Sequence, residues 1–235
     1  MIKQCIILAG GLGTRLRTAV PDLPKCMAPV AGKPFLHWVL QHFIDQGVEQ
    51  FIFSLGYMHE VILDYLRKDY PQLPMSYVIE NEPLGTGGAI RLALEKANHE
   101  QVLVTNGDTL FRIDVQQLSS FNTQQQAACT LCLKPMENFD RYGLVELDKA
   151  SNKIVSFREK QHYLSGLING GIYALEVNHF IKKEWPEKFS FEKDYLEKFY
   201  TNGNIYGQVQ DEYFIDIGIP EDYEKANEDF KKMKL

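Results

Sequence analysis

The 235-residue sequence lacks the features that define several large classes of protein. No apolar run approaches the roughly 20 residues that a helix needs to span a bilayer. Positive charge is in the minority, and the formal net charge of −6 argues against a nucleic-acid surface. Repeats, low-complexity segments and linkers are also missing. We therefore expect one domain, with neither a membrane nor a nucleic acid as partner.

Cysteine is scarce, and its four positions suit neither a metal site nor a disulfide framework. Cys129 and Cys132 lie three apart in a strand-like run, where such residues point to opposite faces and cannot chelate one ion together. Cys5 and Cys26 stand alone in the sequence. We predict four buried, reduced thiols. The amino terminus also lacks the pattern of a cleavable signal, so the expected location is cytoplasmic.

What the sequence does contain is an alternation of strand-like and helical patterns, in a chain long enough for one large α/β domain. In the first half, strands are predicted at residues 4–8, 50–54, 76–79 and 101–105, with helices at 35–46, 59–68 and 86–96. In the second half, strands are predicted at 127–133, 143–147, 154–159 and 170–175, followed by helices at 176–183, 190–199 and 220–232. This order predicts a mixed, mainly parallel sheet with right-handed crossovers.

A glycine-rich loop follows the first predicted strand. Residues 6–16 read Ile-Ile-Leu-Ala-Gly-Gly-Leu-Gly-Thr-Arg-Leu, and Pro24-Lys25 comes soon after. The glycines let the backbone approach a polyanion, while Arg15 and Lys25 supply positive charge. The loop is not a Walker A motif, which would end in Gly-Lys-Ser/Thr. It is not a dinucleotide fingerprint either, because Leu16 stands where the last glycine would be. We interpret it as a phosphate-binding loop.

Two aspartates follow apolar strand-like segments far apart in the sequence. Asp108 follows residues 101–105, and Asp216 follows Phe214-Ile215. A carboxylate in such a place is costly unless it is paired or bound to a cation. Two aspartates at one edge of a sheet would suit a hard divalent cation such as Mg²⁺. The alternative is that each aspartate only caps a turn or the next helix.

The Gly-Gly-x-Gly-Thr-Arg-Leu run with its downstream Pro-Lys resembles the signature of sugar-phosphate nucleotidylyltransferases. The resemblance covers the whole chain. It implies a Rossmann-like three-layer αβα nucleotidyltransferase fold without a C-terminal left-handed β-helix. It divides this single domain, residues 1–235, into a nucleotide-binding part at about 1–110 and a sugar-phosphate-binding part at about 111–235.

The reaction that the resemblance implies is attack of a sugar 1-phosphate oxygen on the α-phosphorus of a nucleoside triphosphate, with release of pyrophosphate. A phosphate monoester has a second pKa near ~6, so the nucleophile is already ionised at neutral pH and needs no general base. The protein must supply in-line positioning and compensation of the phosphate charges.

The resemblance also assigns roles to residues. Arg15, Lys25 and Asp108 would be catalytic, with Arg15 holding the departing pyrophosphate and Lys25 lying along the α-phosphate. Asp108 and Asp216 would bind Mg²⁺. The expected nucleotide contacts are Leu8, Ala9, Gly10, Gly11, Gly13, Thr14, Arg15, Glu80, Gly85, Thr86 and Asn106. The expected sugar-phosphate contacts are Gly143, Glu159, Lys160, Asn169, Gly170 and Tyr173.

Glu80 stands at the position that reads the nucleobase in this family. The Watson–Crick edge of guanine offers two adjacent donors, which an ionised carboxylate can accept together. Uracil and thymine offer one donor between acceptors, which suits glutamine better. The sequence therefore favours GTP. As alternatives, Glu82 reads the base, or both carboxylates are only solvated.

Among subfamilies, segments such as Lys188-Phe-Ser-Phe-Glu192 and residues 213–218 look most like the heptose 1-phosphate guanylyltransferases, which make GDP-heptose for bacterial surface glycans. The expected substrates are GTP and D-glycero-α-D-manno-heptose 1-phosphate. The alternatives are a mannose 1-phosphate guanylyltransferase, a uridylyltransferase for another sugar phosphate, and a catalytically silent nucleotide-sugar sensor. The oligomeric state is not specified, and a homo-oligomer is left open.

Overall fold

The computed structural model describes residues 1–11, 13, 15–16 and 19–232. The strands in this part of the chain are β1 (Gln4–Ala9), β2 (Pro29–Val30), β3 (Lys33–Pro34), β4 (Gln50–Leu55), β5 (Met75–Ile79), β6 (Gln101–Asn106), β7 (Thr109–Phe111), β8 (Cys129–Phe139), β9 (Leu144–Leu147), β10 (Ile154–Arg158), β11 (Tyr163–Glu176), β12 (Ile205–Val209) and β13 (Phe214–Asp216). The helices are α1 (Phe35–Asp45), α2 (His59–Asp69), α3 (Gly85–Leu94), α4 (Val115–Gln124), α5 (Val177–Ile181), α6 (Glu197–Phe199) and α7 (Pro220–Lys232), with a π-helical segment at Phe191–Leu196 and a 3₁₀ turn at Lys25–Met27.

The main sheet has the strand order β5-β4-β1-β6-β11-β8-β12, and the hairpin β9-β10 pairs with the first half of β11. Strands β1, β4, β5 and β6 are parallel to one another. Strand β11 runs antiparallel to β6, β8 and β9. Within the described sheet, only β10 and β11 therefore run against the common direction. The predicted mixed, mainly parallel sheet is confirmed.

Helices cover both faces of this sheet. Successive residues of a strand point to opposite faces, so Ile7 and Phe53 enter one apolar core, and Ile6 and Ile52 enter the other. Helices α1, α2 and α7 contribute to the first core, and α3, α5 and the π-helical segment contribute to the second. The three-layer αβα fold is confirmed.

The four cysteines are buried free thiols, as predicted. Cys129 belongs to one core and Cys132 to the other, which confirms that they point to opposite faces. Burial raises the pKa of the Cys26 thiol to about 12. No helix in the described ranges combines the length and the apolar character needed to cross a membrane.

Several elements of the second half differ from the predicted ones. Strand β8 continues to Phe139 rather than ending at residue 133, and β11 begins at Tyr163 rather than at 170. Helix α4 and strand β12 were not predicted. The apolar periodicity of α4 is interrupted because polar Asn122 lies on the buried face of the helix. There, its Nδ2 donates to Thr130 Oγ1 at 2.8 Å. A buried polar residue needs a hydrogen-bond partner, and here the partner lies on a different element of the fold. Sequence periodicity does not reveal such a partner.

Candidate functional site

The predicted nucleotide contacts gather at the carboxyl ends of β1, β5 and β6 and at the start of α3. The backbone N–H of Gly107 donates to Leu8 O at 2.9 Å, which joins the turn after β6 to the end of β1. A cavity of about 580 Å³ opens here, within the size range of small-molecule sites. Its lining includes the expected contacts Leu8, Gly10, Gly11, Gly13, Arg15, Glu80, Gly85, Thr86 and Asn106. Ala9 lines the adjoining recess, and Thr14 lies outside the described residues.

A small two-stranded ribbon brings the two aspartates together. Strands β7 and β13 pair antiparallel, with Asp216 opposite Thr109. The backbone N–H of Ile217 then donates to Asp108 O at 3.1 Å. This pairing explains why carboxylates far apart in the sequence meet at one edge of the main sheet.

The Lys25 ammonium lies between the two carboxylates, 2.5 Å from Asp108 Oδ2 and 3.2 Å from Asp216 Oδ1. Only 13% of the Lys25 side chain is exposed. Burial lowers the pKa of Lys25, but the charges of Asp108 and Asp216 more than offset it, so the pKa lies above its ordinary value. Lys25 is therefore a permanently charged cation in the cavity wall.

The chemistry of this cluster fits a divalent cation that binds together with phosphate. Burial, and then the negative charge of Asp108, raise the pKa of Asp216, although Lys25 opposes the shift. A second positive charge would relieve this repulsion. In the described part of the chain no group of three or more His, Cys, Asp or Glu could hold a metal alone. Asp108 and Asp216 would therefore need phosphate oxygens and water to complete the coordination shell.

The glycine loop leaves the Arg15 guanidinium free to bind a ligand. Gly13 has φ +60°, a conformation that glycine adopts without strain, and a Cβ there would lie 3.1 Å from Lys25 Cβ. Arg15 is exposed, lines the cavity and forms no ion pair with any residue that the structure describes. Among the described cations of the cavity, Lys25 is paired with carboxylates and Arg15 is available.

Glu80 is fixed in the cavity wall by two hydrogen bonds. Ser54 Oγ donates to Glu80 Oε1 at 3.1 Å, and the Leu84 N–H donates to Oε2 at 3.1 Å. Each oxygen keeps a second lone pair that can accept from a base. A Cβ on Gly10 would lie 2.6 Å from Glu80 Oε1. Gly10 is thus needed for the carboxylate to reach this position.

The Gly-Thr-Gly-Gly run at 85–88 serves packing within the protein. Gly85 has φ +72°, and a Cβ there would lie 2.5 Å from Phe189 O. A Cβ on Gly87 would overlap the Phe189 ring, and the Gly87 N–H donates to Phe189 O at 3.0 Å. These glycines let α3 begin directly against residues 187–189, a role that the sequence did not indicate. Contact of Gly85 and Thr86 with a nucleotide stays a prediction.

The predicted sugar-phosphate contacts lie on two neighbouring structures. Gly143 precedes β9, and a Cβ there would lie 2.7 Å from Arg158 O. Glu159 and Lys160 follow β10 and are exposed. Asn169 begins a bulge of β11, where the pairing with β8 shifts register. Bulges often re-aim side chains next to functional sites.

The bulge connects the sugar side to the nucleotide side. Gly171 has φ +74°, and a Cβ there would lie 3.0 Å from Asn106 Nδ2 at the end of β6. Gly170 packs on Phe111, and Tyr173 is only 2% exposed, so both lie behind the surface. Their roles in sugar binding, like those of the other four residues, stay predictions.

A family model for nucleotidyl transferases matches residues 4–233. This chain belongs to the nucleotidyl transferase family. It is 46% identical over 228 residues to the D-glycero-α-D-manno-heptose 1-phosphate guanylyltransferase of Aneurinibacillus thermoaerophilus, covering 97% of this chain and 98% of the relative. It is 44% identical to the enzyme of the same name from Campylobacter jejuni, covering 94% and 96%. The prediction of a nucleotidyltransferase is confirmed.

A solved structure supports the same assignment. HddC from Yersinia pseudotuberculosis, in a crystal complexed with GMP-PN, superposes with a TM-score of 0.87 at 39% identity, covering 97% of this chain and all of that one. The nucleotidyltransferase fold is therefore confirmed along nearly the whole chain.

Two features of this family member were missed by the sequence reasoning. Arg141 forms an ion pair with Asp222, which ties the loop before Gly143 to the first turn of α7. Glu192 accepts a hydrogen bond from Thr86 Oγ1 at 2.6 Å. Only the tertiary structure shows what each of these side chains contacts. Ser190 caps the π-helical segment, since its Oγ accepts from the Lys193 N–H.

Proposed function

We propose that this chain transfers GMP from GTP to D-glycero-α-D-manno-heptose 1-phosphate. The observation that carries the proposal is the Lys25 ammonium held between Asp108 and Asp216 beside a glycine loop. Two guanylyltransferases for this heptose phosphate are 46% and 44% identical to the chain. The HddC complex with GMP-PN adds support for a guanine nucleotide.

In the proposed reaction, a phosphate oxygen of the sugar ester bonds to the α-phosphorus of GTP, and the bond from that phosphorus to the oxygen of the β-phosphate breaks. Pyrophosphate leaves with the bonding electrons, and GDP-heptose remains. The nucleophile is already ionised, so no general base is required. In agreement, no histidine is among the described residues that line the cavity.

The residues of the cavity would supply charge compensation and positioning. Lys25 keeps its proton because Asp108 and Asp216 raise its pKa, so it offers a fixed positive charge to the α-phosphate. Arg15, which has no other ionic partner in the described structure, would hold the departing pyrophosphate. Asp108 and Asp216 would bind a divalent cation, which we propose to be Mg²⁺. When bound, this ion would neutralise phosphate charge.

Base selection is assigned to the cavity, at Glu80, and sugar selection to the other side of the site, at the β9-β10 hairpin and the β11 bulge. Glu80, oriented by Ser54 and the Leu84 N–H, would accept the two donors of guanine. On the other side, Lys160 would neutralise the sugar phosphate, and Glu159 and Asn169 would bond sugar hydroxyls. We keep the predicted cytoplasmic location, where GTP is available.

A substrate matrix tests this proposal. The purified protein is incubated with Mg²⁺ and each of GTP, UTP, CTP, dTTP and ATP, against heptose, mannose and glucose 1-phosphates, and pyrophosphate is measured. GTP with heptose 1-phosphate should give the highest kcat/KM. A higher value for UTP would contradict the assignment of Glu80, and a higher value for mannose 1-phosphate would contradict the sugar. No turnover with any pair would favour a catalytically silent sensor.

A further inference from the structure

A second cavity, of about 460 Å³, adjoins the cluster formed by Lys25 and the two aspartates. Asp216 lines both this second cavity and the cavity of about 580 Å³ that holds the predicted nucleotide contacts, so the two meet at the proposed metal site. The rest of the described lining comes from the end of β8 and the loop after it, from β13 and from α7, at residues 136–142, 214–215, 222 and 225. A substrate bound at Asp216 can therefore extend into the second cavity.

A row of aromatic rings joins the second cavity to the bulge of β11. Tyr142 and Phe214 line the cavity with their ring centroids 5.9 Å apart, and the Phe214 ring lies 5.6 Å from that of Phe111. Gly170 of the bulge packs on Phe111. Tyr142 also directly precedes Gly143, a predicted sugar contact. The second cavity thus lies beside both structures that carry the predicted sugar contacts.

Two polar groups in its wall, the Tyr142 hydroxyl and Asp222 Oδ1, form no hydrogen bond with any residue that the structure describes. Asp222 Oδ2 accepts from Arg141, and the Arg141 guanidinium lies over the Tyr142 ring, 5.5 Å from its centroid. Arg141 therefore holds both residues in place. A phenol can donate and accept a hydrogen bond and a carboxylate oxygen can accept one, so both groups can bind an alcohol.

The charge of the second cavity favours a neutral ligand. Its two described cations, Arg141 and Lys225, are already in ion pairs with aspartates of α7. Glu137 and Asp140, which also line it, form no ion pair within the described part of the chain. The unpaired charge is therefore negative and would repel a phosphate or a carboxylate. Aromatic rings with a few free polar groups suit a neutral hydroxylated group instead.

The chemistry of a pyranose 1-phosphate places its exocyclic chain near this cavity. The ring carbon that bears the chain is joined to the carbon that bears the phosphate through the ring oxygen alone, so the chain leaves the ring close to the phosphate. A phosphate bound at Asp216 would therefore bring the chain to the cavity that Asp216 also lines. In this chain, a heptose has one more hydroxylated carbon than a hexose.

We propose that the second cavity binds the exocyclic hydroxylated carbons of the sugar 1-phosphate, and that Tyr142 and Asp222 make the protein prefer a heptose to a hexose. This inference rests on the proposed function, because it takes the sugar phosphate to bind at Asp216. The additional carbon packs on the rings of Tyr142 and Phe214. Its hydroxyl bonds to the Tyr142 hydroxyl and to Asp222 Oδ1, which a hexose leaves to water.

The test compares two sugar phosphates that differ only in this chain. With GTP and Mg²⁺, kcat/KM is measured for D-glycero-α-D-manno-heptose 1-phosphate and for α-D-mannose 1-phosphate, and the selectivity is the ratio of the first value to the second. In the wild type, this ratio should be about tenfold or more. Damage to the fold or to the metal site lowers both values and cancels in the ratio.

Two variants remove the proposed contacts one at a time. Tyr142→Phe removes only the hydroxyl and keeps the ring beside Phe214, so the ratio should fall about threefold. Asp222→Ala removes the charged acceptor and should lower the ratio about tenfold. Asp222→Ala also breaks the ion pair with Arg141, but a looser loop would affect both sugar phosphates.

Tyr213→Phe is the matched control. The Tyr213 hydroxyl donates to Asp229 Oδ2 at 2.8 Å, and neither residue is part of the described lining of the second cavity, although Tyr213 directly precedes Phe214. This variant should keep the wild-type ratio. A fall in Tyr213→Phe equal to that in Tyr142→Phe would show that displacement of β13 is the cause and would overturn the proposal.

The outcomes separate this inference from the proposed function. A wild type that prefers the heptose phosphate, with the same ratio in Tyr142→Phe and Asp222→Ala, overturns the role of the second cavity alone. A wild type that turns over both sugar phosphates without preferring the heptose overturns this inference and the proposed sugar, while transfer of GMP stands. Absence of turnover with either sugar phosphate overturns both the inference and the proposed function.

Discussion

The predicted nucleotide contacts lie at the ends of parallel strands, in the loops that follow them and at the start of α3, whereas the predicted sugar contacts lie around a hairpin and on a bulge of an antiparallel strand. On the nucleotide side, β1, β5 and β6 end at one edge, so every described contact except Ala9 lines a single cavity. On the sugar side, Glu159 and Lys160 are exposed while Gly170 and Tyr173 are buried. The ends of parallel strands meet at one edge of a sheet, so the topology alone brings the nucleotide contacts together. The position of the sugar contacts depends instead on the bulge in the long strand β11.

The largest expected effect comes from the nucleotide side. Asp108→Asn removes one of the two charges proposed to hold the divalent cation, and should lower kcat about a thousandfold, since several kcal/mol of charge stabilisation is lost. The side chain keeps its shape and Lys25 keeps Asp216 as a partner, so the protein should stay folded. Steady-state kinetics and circular dichroism measure both.

Asp211→Asn is the control for this substitution, because Asp211 is an exposed aspartate paired only with Lys134 in the described structure. Its kcat should match that of the wild type. An unchanged rate in Asp108→Asn would remove Asp108 from the metal site.

The next effect concerns base selection. Glu80→Gln replaces an acceptor of two donors with a group that suits uracil better. The ratio of kcat/KM for GTP to that for UTP should fall by about ten- to a hundredfold, as expected for hydrogen bonds to a charged group. Glu82→Gln, at an exposed position two residues on, should leave the ratio unchanged. If this ratio fell in Glu82→Gln and did not change in Glu80→Gln, Glu82 rather than Glu80 would be the residue that reads the base.

The sugar side should give a weaker response. Lys160 is exposed, so water competes with its charge, and Lys160→Ala should raise the KM for the sugar 1-phosphate only about three- to tenfold. The KM for GTP should not change. Lys149→Ala, at another exposed lysine, controls for loss of surface charge. If the KM for GTP rises instead, Lys160 belongs to the nucleotide side.

The smallest expected effect is on stability and depends on pH. Since the pKa of Asp216 is raised in the folded state, the folded protein binds this proton more tightly than the unfolded chain. The resulting stabilisation is complete below the ordinary value of 3.8 and is lost as pH rises through the folded pKa.

The variant Asp216→Asn lacks this contribution. The stability of wild type relative to Asp216→Asn, measured by denaturant unfolding with a chelator present, should therefore fall as pH rises through this window. A constant difference would contradict the raised pKa.

The sequence predicts the fold of the first half of the chain better than that of the second half. In the first half, strands are short, apolar and separated by amphipathic helices, so the predicted β1, β4, β5 and β6 match the structure within about two residues. In the second half, β11 carries Gly166, Gly170 and Gly171 and alternates between exposed and buried residues, which hides its true length. Pairing with β8 and β6 on either side decides its bounds.

The candidate site shows the same limit. The sequence placed Asp108 and Asp216 at strand ends, but only the β7–β13 ribbon shows that they share Lys25. Glu192 could not be given its partner Thr86 from the sequence, because the two residues are 106 positions apart on separate elements. Local patterns reveal which residues end a strand, while contacts between distant segments need the assembled fold.

The most direct test of the central claim is a crystal structure with a non-hydrolysable GTP analogue and Mn²⁺, located by anomalous scattering. We expect an anomalous peak coordinated by the carboxylates of Asp108 and Asp216 and by phosphate oxygens, with the triphosphate along the glycine loop and Arg15. A peak at other residues, or a nucleotide bound outside this cavity, would contradict it.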